Sequence, residues 1–491
     1  MLSLLLLGLL AQSARSSPAP RAAPSPVSVS LGGVTYINQG LVAFGLIPSN
    51  ATESTGDTLG GLGSAVAVKP GTWRMQADGT YAGTLVVQPD RGFNVLTTID
   101  YQARRHELSF VLSPYTGSAA LSFADAQKTL KLTYLNTTLL SERNGTKTSG
   151  LDPQAIRAAD PGFGAADPTA DPQMPIASLN EPHLSVDAEG IVINADGTYW
   201  LSDEYGPYIY RFSAAGQLLQ TIQPPEAILP LSKKGKLNFT SEDDPDTGRG
   251  ANQGFEGLTL DPLTNTLYAI LQSGTIQDGA AQFTRLLAYD VSQLDVAVPL
   301  IGEWVVPLPV SSGGKVRSTS ELHFVSPGVF LTLARDGNGH GGSGTDVKYK
   351  HVDLFSIANA TSIAHTDFDS AATPVAPKAK LAKGVTAAAY ASFLDIADPA
   401  GLARFGLHTG DPDDRTLINA KWEGLALAPA GVPGAPDDYF LFVASDNDFI
   451  STQGVSLGVP FDAGEDVDSQ FLVFRVTLPG AAAGVKAALG L

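Results

Sequence analysis

Residues 181–222 read EPHLSVDAEGIVINADGTYWLSDEYGPYIYRFSAAGQLLQTI. Four short apolar segments, Gly190 to Ile193, Thr198 to Ser202, Tyr208 to Phe212 and Leu218 to Ile222, are separated by Gly, Asn, Asp or Pro turn residues. Segments of this length between such punctuation are too short for helices and read as strands. Joined in succession they predict a four-stranded antiparallel meander.

The opening of this unit recurs. Glu256-Gly257-Leu258-Thr259-Leu260, Glu321-Leu322-His323-Phe324 and Glu423-Gly424-Leu425-Ala426-Leu427 each begin an apolar run, and each is followed by a second strand at Thr266 to Leu271, Val329 to Ala334 and Tyr439 to Ala444. The first three openings are roughly 65 residues apart and the last follows after roughly 100, a repeat length that suits propeller blades. Before Glu189, Gly60 to Val68 reads as the first strand of an earlier blade without the glutamate, and Phe93 to Asp100, Glu107 to Ser113 and Ala126 to Leu135 supply further strand-like segments. That interval holds about two blade periods, so the expected fold is an all-β propeller of six blades, each of four antiparallel strands. The stretch from Ala358 to Pro412 reads as an inserted or degenerate unit, and Phe471 to Val476 as the strand that closes the ring against an N-terminal strand.

In a meander, the start of the first strand and the end of the second share one edge of the sheet. Glu189 therefore belongs beside Asp203 and Glu204, Glu256 beside Gln272, Glu321 beside Arg335 and Asp336, and Glu423 beside Asp446, Asn447 and Asp448. With the first strands innermost, these residues ring one mouth of the central channel as an acidic funnel. Oxygen-only ligands of this kind suit calcium or magnesium, and calcium tolerates the irregular geometry that separate blades supply. The candidate metal ligands are Glu189, Asp203, Glu204, Glu256, Glu321, Asp336, Glu423, Asp446, Asn447 and Asp448; the bland alternative is that Glu189, Glu256 and Glu423 cap backbone amides at blade starts and serve closure. Glu256, Arg335 and Glu423 are the candidates for direct catalysis.

The runs Ser202-Asp203-Glu204-Tyr205-Gly206-Pro207-Tyr208-Ile209, Asn252-Gln253-Gly254-Phe255-Glu256-Gly257-Leu258, Lys421-Trp422-Glu423-Gly424-Leu425 and Ser445-Asp446-Asn447-Asp448-Phe449 resemble the phytase-like family, also described as esterase-like activity of phytase. The resemblance spans roughly Gly60 to Pro479. It implies a small-molecule substrate, a phosphate ester for a metal-dependent hydrolase, with Arg249, Arg335, Lys348, Lys350 and Lys421 as cations near the motif ends. Two other classes stay open: a non-catalytic extracellular binding protein, and a calcium-dependent lactonase or esterase on the same scaffold.

Composition narrows the partners and the destination. Across 491 residues, 49 Asp and Glu against 31 Lys and Arg give a formal charge of −18, which repels nucleic acid. With no cysteine and seven histidines, thiolate chemistry is excluded. Residues 1–18, beginning MLSLLLLGLLA, read as a signal peptide with Ala11-Gln12-Ser13 before a cleavage point at Ala14, 19–40 as a disordered leader and 41–491 as the propeller domain. The apolar run is too short to span a bilayer. Sequons at Asn50, Asn136, Asn144, Asn238 and Asn359 agree with export and glycosylation. The expectation is a secreted monomer.

Two tempting motifs fail on context. Gly454-Val455-Ser456-Leu457-Gly458 matches G-x-S-x-G but lacks the following helix that a nucleophile elbow requires. Asp336-Gly337-Asn338-Gly339-His340 begins like a calcium loop, but Val347 stands where an EF-hand needs its bidentate Glu.

Overall fold

The computed structural model describes residues 26–94, 97–164, 167–279 and 282–491; the signal peptide expected over 1–18 lies outside them. Five sheets ring an axis. The first blade holds Ala65–Val68, Tyr81–Gln88, Arg104–Leu112 and Leu130–Leu139; the second Ala188–Ile193, Tyr199–Asp203, Ile209–Phe212 and Leu218–Ile222. The third holds Phe255–Asp261, Thr266–Leu271, Phe283–Asp290 and Leu300–Pro307; the fourth Thr319–Ser326, Val329–Arg335, Lys350–Ser356 and Ala389–Asp395. The fifth runs outward from Lys421–Pro429 through Asp438–Asp446 and Ser469–Thr477 to the N-terminal strands Val34–Ile47 and Val27–Leu31. Among the described residues no helix is long and apolar enough to cross a membrane, and the five sequon asparagines are all exposed.

The propeller class agrees with the sequence reading, but the described residues form five blades, not six. The segments between Leu62 and Glu189 read in sequence as two blades, whereas Arg104–Leu112 and Leu130–Leu139 are neighbouring strands of one. Within the run from Phe93 to Asp100 the described residues, 93–94 and 97–100, are in no strand, and the described part of the remaining interval is mostly irregular chain around a hairpin of Ala155–Arg157 and Met174–Ile176. Likewise Ala358 to Pro412 contributes only the outermost strand of the fourth blade, Ala389–Asp395. A further correction concerns the leader expected over 19–40: residues 27–31 and 34–40 are strands of the closing blade.

Ring closure follows from burial on both faces. Val34–Ile47 pairs antiparallel with Ser469–Thr477, which also pairs with Asp438–Asp446, and Phe44, Leu472 and Val443 are fully buried in the resulting sheet. The inner strands are packed so closely that residue size is restricted. A Cβ at Gly190 would come within 2.5 Å of the Leu258 nitrogen, one at Gly257 within 2.4 Å of the Leu322 nitrogen, and one at Gly424 within 2.7 Å of Val66 Cγ2. This is why glycine follows the glutamate in those blade openings. The central channel is apolar, lined by Val66, Ile191, Leu258, Leu322 and Leu425, and the C-terminal helix Ala482–Leu489 closes its far end with Val485 and Leu489.

Phe44→Ala empties a fully buried site in the closing strand and should cost about 3–5 kcal/mol in chemical unfolding, whereas Val34→Ala, at an exposed position of that strand, should change stability by no more than about 0.5 kcal/mol. Equal effects would show that this strand does not close the ring. A second expectation concerns His106, whose buried ring contacts Thr137 Oγ1 at 2.8 Å through Nδ1 and has no partner at Nε2; burial lowers its pKa to about 3. An unfolded histidine takes up its proton near pH 6.5, so below that pH the unfolded chain binds more protons and stability declines, by at most about 1.4 kcal/mol per pH unit. His106→Gln should flatten this acid limb in urea titrations between pH 7 and 4.5; an unchanged slope would remove His106 as a cause.

Candidate functional site

Four of the five inner strands begin at a register shift; that of the first blade does not. In the second, third and fifth blades the shift falls between Ala188 and Ile191, Phe255 and Gly257, and Trp422 and Gly424. A bulge re-aims side chains, and here it turns Glu189, Glu256 and Glu423 into the mouth opposite the ends of the second strands. Asp187, Asp90 and Arg91 join them there.

The mouth divides into two electrostatic halves. In one, the Lys421 ammonium lies 2.5 Å from Asp446, 2.7 Å from Asp448, 3.7 Å from Asp90 and 3.8 Å from Glu423. Burial opposes the lysine charge, but Asp446 and Asp448 outweigh it and push its pKa well above the ordinary range. Glu423 also binds the Arg335 guanidinium. Burial, opposed by Lys421, leaves Asp446 at about 6.

In the other half, Asp187, Glu189 and Glu204 each offer an oxygen within 4.8 Å of the others. Both Asp187 oxygens are buried without a hydrogen bond, and its nearest cation is Arg91 at 3.4 Å. Arg91 is itself held by Asn252 at 2.8 Å and Ser241 at 3.1 Å. Gln272 donates to Glu204 at 2.7 Å and to Glu256 at 3.0 Å. Burial, then repulsion from Glu256, raises Glu189 and Glu204 well above the usual carboxylate range; burial and then Glu423 push Glu256 up to about 8. Desolvated carboxylates this close cannot all ionise without a counter-charge. The first half has its cation in the chain; the second is short of one.

Not every nominated ligand faces this space. Asp203 accepts from the Asp187 amide at 2.9 Å, the Tyr205 amide at 3.2 Å and the Tyr210 hydroxyl at 3.1 Å, so it shapes the turn. Asn447 accepts from the amides of Gly61 at 2.9 Å and Phe449 at 3.2 Å, tying the fifth blade to the first. Asp336 folds its own loop, accepting from the amides of Lys348 at 2.5 Å and Tyr349 at 3.0 Å and from Lys350 Nζ at 3.2 Å. In the fourth blade the register shift falls between Thr319 and Glu321. Ser320 therefore takes the glutamate position and Glu321 the glycine position, where Glu321 accepts from the Leu322 amide at 2.7 Å and the Leu258 amide at 3.3 Å. Glu321, nominated as a metal ligand, thus caps backbone amides.

Of the cations, Arg249 is fully buried and donates to the carbonyls of Tyr205 at 2.8 Å and Phe239 at 2.6 Å. Lys350 is also buried, with its pKa depressed to about 7 by burial against the opposing pull of Asp336. A different group faces open space. A cleft of about 650 Å³ is lined by Ser311, Lys315, Arg317, Asn338, Ser343 and Lys348. It shares Arg317, Asp336 and Gly337 with a hollow of about 270 Å³ that reaches Gln272, Ser320 and Arg335 at the mouth. Among the described residues neither Lys315 nor Arg317 makes a salt bridge, and Arg317 Nε is buried without an acceptor. Arg317 also donates to Ser311 Oγ at 3.3 Å, Lys348 pairs with Asp346, and the two cations without a carboxylate partner in one cleft can hold an anion.

Sequence reasoning missed Asp90, Arg91, Asp187 and Arg317. Gln88-Pro89-Asp90-Arg91 ends the second strand of the first blade just as Asp203-Glu204 ends that of the second, so a correct strand assignment there would have exposed the first two. The G-x-S-x-G run lies on a hairpin of Gly454–Ser456 and Val459–Phe461, not on a strand-to-helix turn.

Residues 59–449 match the phytase-like family, described as esterase-like activity of phytase. An uncharacterized secreted protein of Arthroderma benhamiae is 36% identical over 500 residues, covering 91% of this chain and 95% of its own length. Among solved structures, a luciferin-regenerating enzyme aligns at TM-score 0.28 and 11% identity over 86% of this chain and 95% of its own. The PQQ-bound aldose sugar dehydrogenase of Streptomyces coelicolor aligns at 0.27 and 13% over 89% and 99%. Structural likenesses this remote say nothing about function.

Arg317→Ala should weaken inorganic phosphate binding roughly tenfold or more, the worth of a charge-assisted hydrogen bond, in calorimetric titration of the folded protein. Binding equal to that of wild type would remove the cleft as an anion seat.

Proposed function

This chain belongs to the phytase-like family, and from that premise we propose that it is a secreted, calcium-dependent phosphoric-ester hydrolase working at the acidic mouth. The observation that carries the reading is the meeting, at one mouth, of a buried carboxylate cluster short of counter-charge and a cleft in which Lys315 and Arg317 have no carboxylate partner among the described residues. The donor set fits the ion: Asp187, Glu189 and Glu204 offer only oxygen, from an irregular arrangement, and Asp187 holds two buried oxygens that no donor satisfies. Calcium held there would offset phosphate charge and lower the pKa of a water.

The chain's own groups supply the rest. Arg335, fixed by Glu423, and Arg317 in the adjoining cleft bind and orient phosphate oxygens through their guanidinium forks. Glu256, whose pKa burial and Glu423 push up to about 8, is the group that gives a proton to the leaving oxygen as water adds to phosphorus and the ester P–O bond breaks, the water's own proton returning to its carboxylate. Gln272 holds this carboxyl in place against Glu204. Secretion of the fungal relative and the apolar leader support an extracellular site of action.

The test is release of inorganic phosphate from phytate and from an aryl phosphate by the purified protein, with calcium and then with chelator. Release that chelator abolishes, calcium restores and Glu189→Gln lowers at least tenfold is the expected result. Release indifferent to chelator would overturn the calcium role. No release from folded protein would overturn the phosphate reading; turnover of a lactone or carboxylic ester in its place would favour esterase chemistry, and none of any kind a binding role.

A further inference from the structure

Away from the carboxylate mouth, His340 lies in the loop 337–344 after the second strand of the fourth blade, and its ring is largely buried. Its Nε2 is 3.0 Å from the carbonyl oxygen of Asp466, and its Nδ1 is 2.8 Å from Asp413 Oδ1. A carbonyl can only accept, so Nε2 donates to Asp466 and Nδ1 is left facing the Asp413 carboxylate at ion-pair distance. That nitrogen can carry a proton or, without one, a metal ion. Glu465 brings a second carboxylate, and one ligand atom from each of His340, Asp413 and Glu465 lies within 4.8 Å of the others.

We infer that His340 Nδ1, Asp413 and Glu465 form a second metal site, for a borderline divalent ion such as Zn²⁺ that accepts one imidazole and two carboxylates. Metal-binding histidines are oriented by donating the other ring N–H to a backbone carbonyl or carboxylate, which is the part Asp466 plays here. Mixed nitrogen and oxygen donors select zinc and its neighbours over calcium. Asp413 and Glu465 sit at exposed loop positions, where small adjustments can open the three atoms to bonding distance. The remaining acidic groups nearby are engaged otherwise: the Asp466 carboxylate accepts from Ser49 Oγ at 2.8 Å and the Thr452 amide at 2.9 Å, and Asp468 pairs with Arg415 at 3.0 Å. An ion bound there would staple three segments together: the loop carrying Asn338 and Ser343, which wall the cationic cleft, the 411–414 turn, and the segment leading into the ring-closing strand.

The experiment is titration of chelator-treated full-length protein with Zn²⁺ by calorimetry and with Co²⁺ by visible absorption, which reads nitrogen and oxygen coordination directly. One site is expected that is retained in Glu189→Gln and weakened at least tenfold in His340→Gln, Asp413→Asn and Glu465→Gln. Glu465→Gln, at an exposed position, tests the site even if a change at His340 impairs folding. Zn²⁺ binding unchanged in Glu465→Gln and Asp413→Asn, or loss of the Co²⁺ spectrum in Glu189→Gln alone, would overturn the proposal. So would a His340 ring that titrates by NMR identically with and without Zn²⁺, since the contact to Asp413 would then be a plain salt bridge. None of these readouts uses hydrolysis, so they stand or fall apart from the activity.

Discussion

Bringing inner strands together around a narrow axis forces acidic side chains at their starts out of water and into one another's field. Lys421 answers that constraint for half of the mouth, with Asp446 and Asp448 at hydrogen-bonding distance. The opposite half has Arg91 and the neutral amide of Gln272 against Asp187, Glu189, Glu204 and Glu256. Burying a carboxylate without a partner is strongly unfavourable, and the raised pKa values of this half are the form in which that penalty shows. The asymmetry is what turns a ring of blade-start glutamates into a site with a direction: charge-balanced on one side, ready for an added cation on the other, with the Arg317 cleft reaching the mouth between them at Gln272 and Arg335.

The repeated Glu-Gly-Leu opening was legible because two physical demands coincide there. Close inner-strand packing requires the glycine, and the bulge before it turns the glutamate inward. The fourth blade shows the limit of reading by letters. Glu321 looks like the other glutamates, but the register shift lies at Ser320, and a one-residue slip sends the carboxylate onto backbone amides. The sixth blade was a similar slip: strand-like runs such as Arg104–Leu112 and Leu130–Leu139 carry no mark of which sheet they join. Arg317 was invisible for a different reason. Its meaning comes from the lack of any carboxylate partner, and pairing is a property of three dimensions.

Outside the mouth, polar side chains that resemble ligands in sequence prove to be joints. Asp203, Asn447 and Asp336 direct their oxygens to amides, hydroxyls or an ammonium from neighbouring segments. Arg249 directs its donors to carbonyls of the loop that approaches Arg91. These groups hold the loops that carry Asp187, Arg91 and Asp448 in fixed relation, so the positions of the mouth residues depend on bonds made by others that never reach it.

The closing blade draws its inner strands from late in the chain and its outer strands from the beginning. During vectorial synthesis four blades can emerge and assemble while the ring still gapes, with the edge of Val34–Ile47 waiting for a partner whose codons have yet to be read. A nascent chain in that state presents two unsatisfied sheet edges at once, so the interval before residue 477 leaves the ribosome is when it most needs protection from its own neighbours, and a truncated product would remain permanently open.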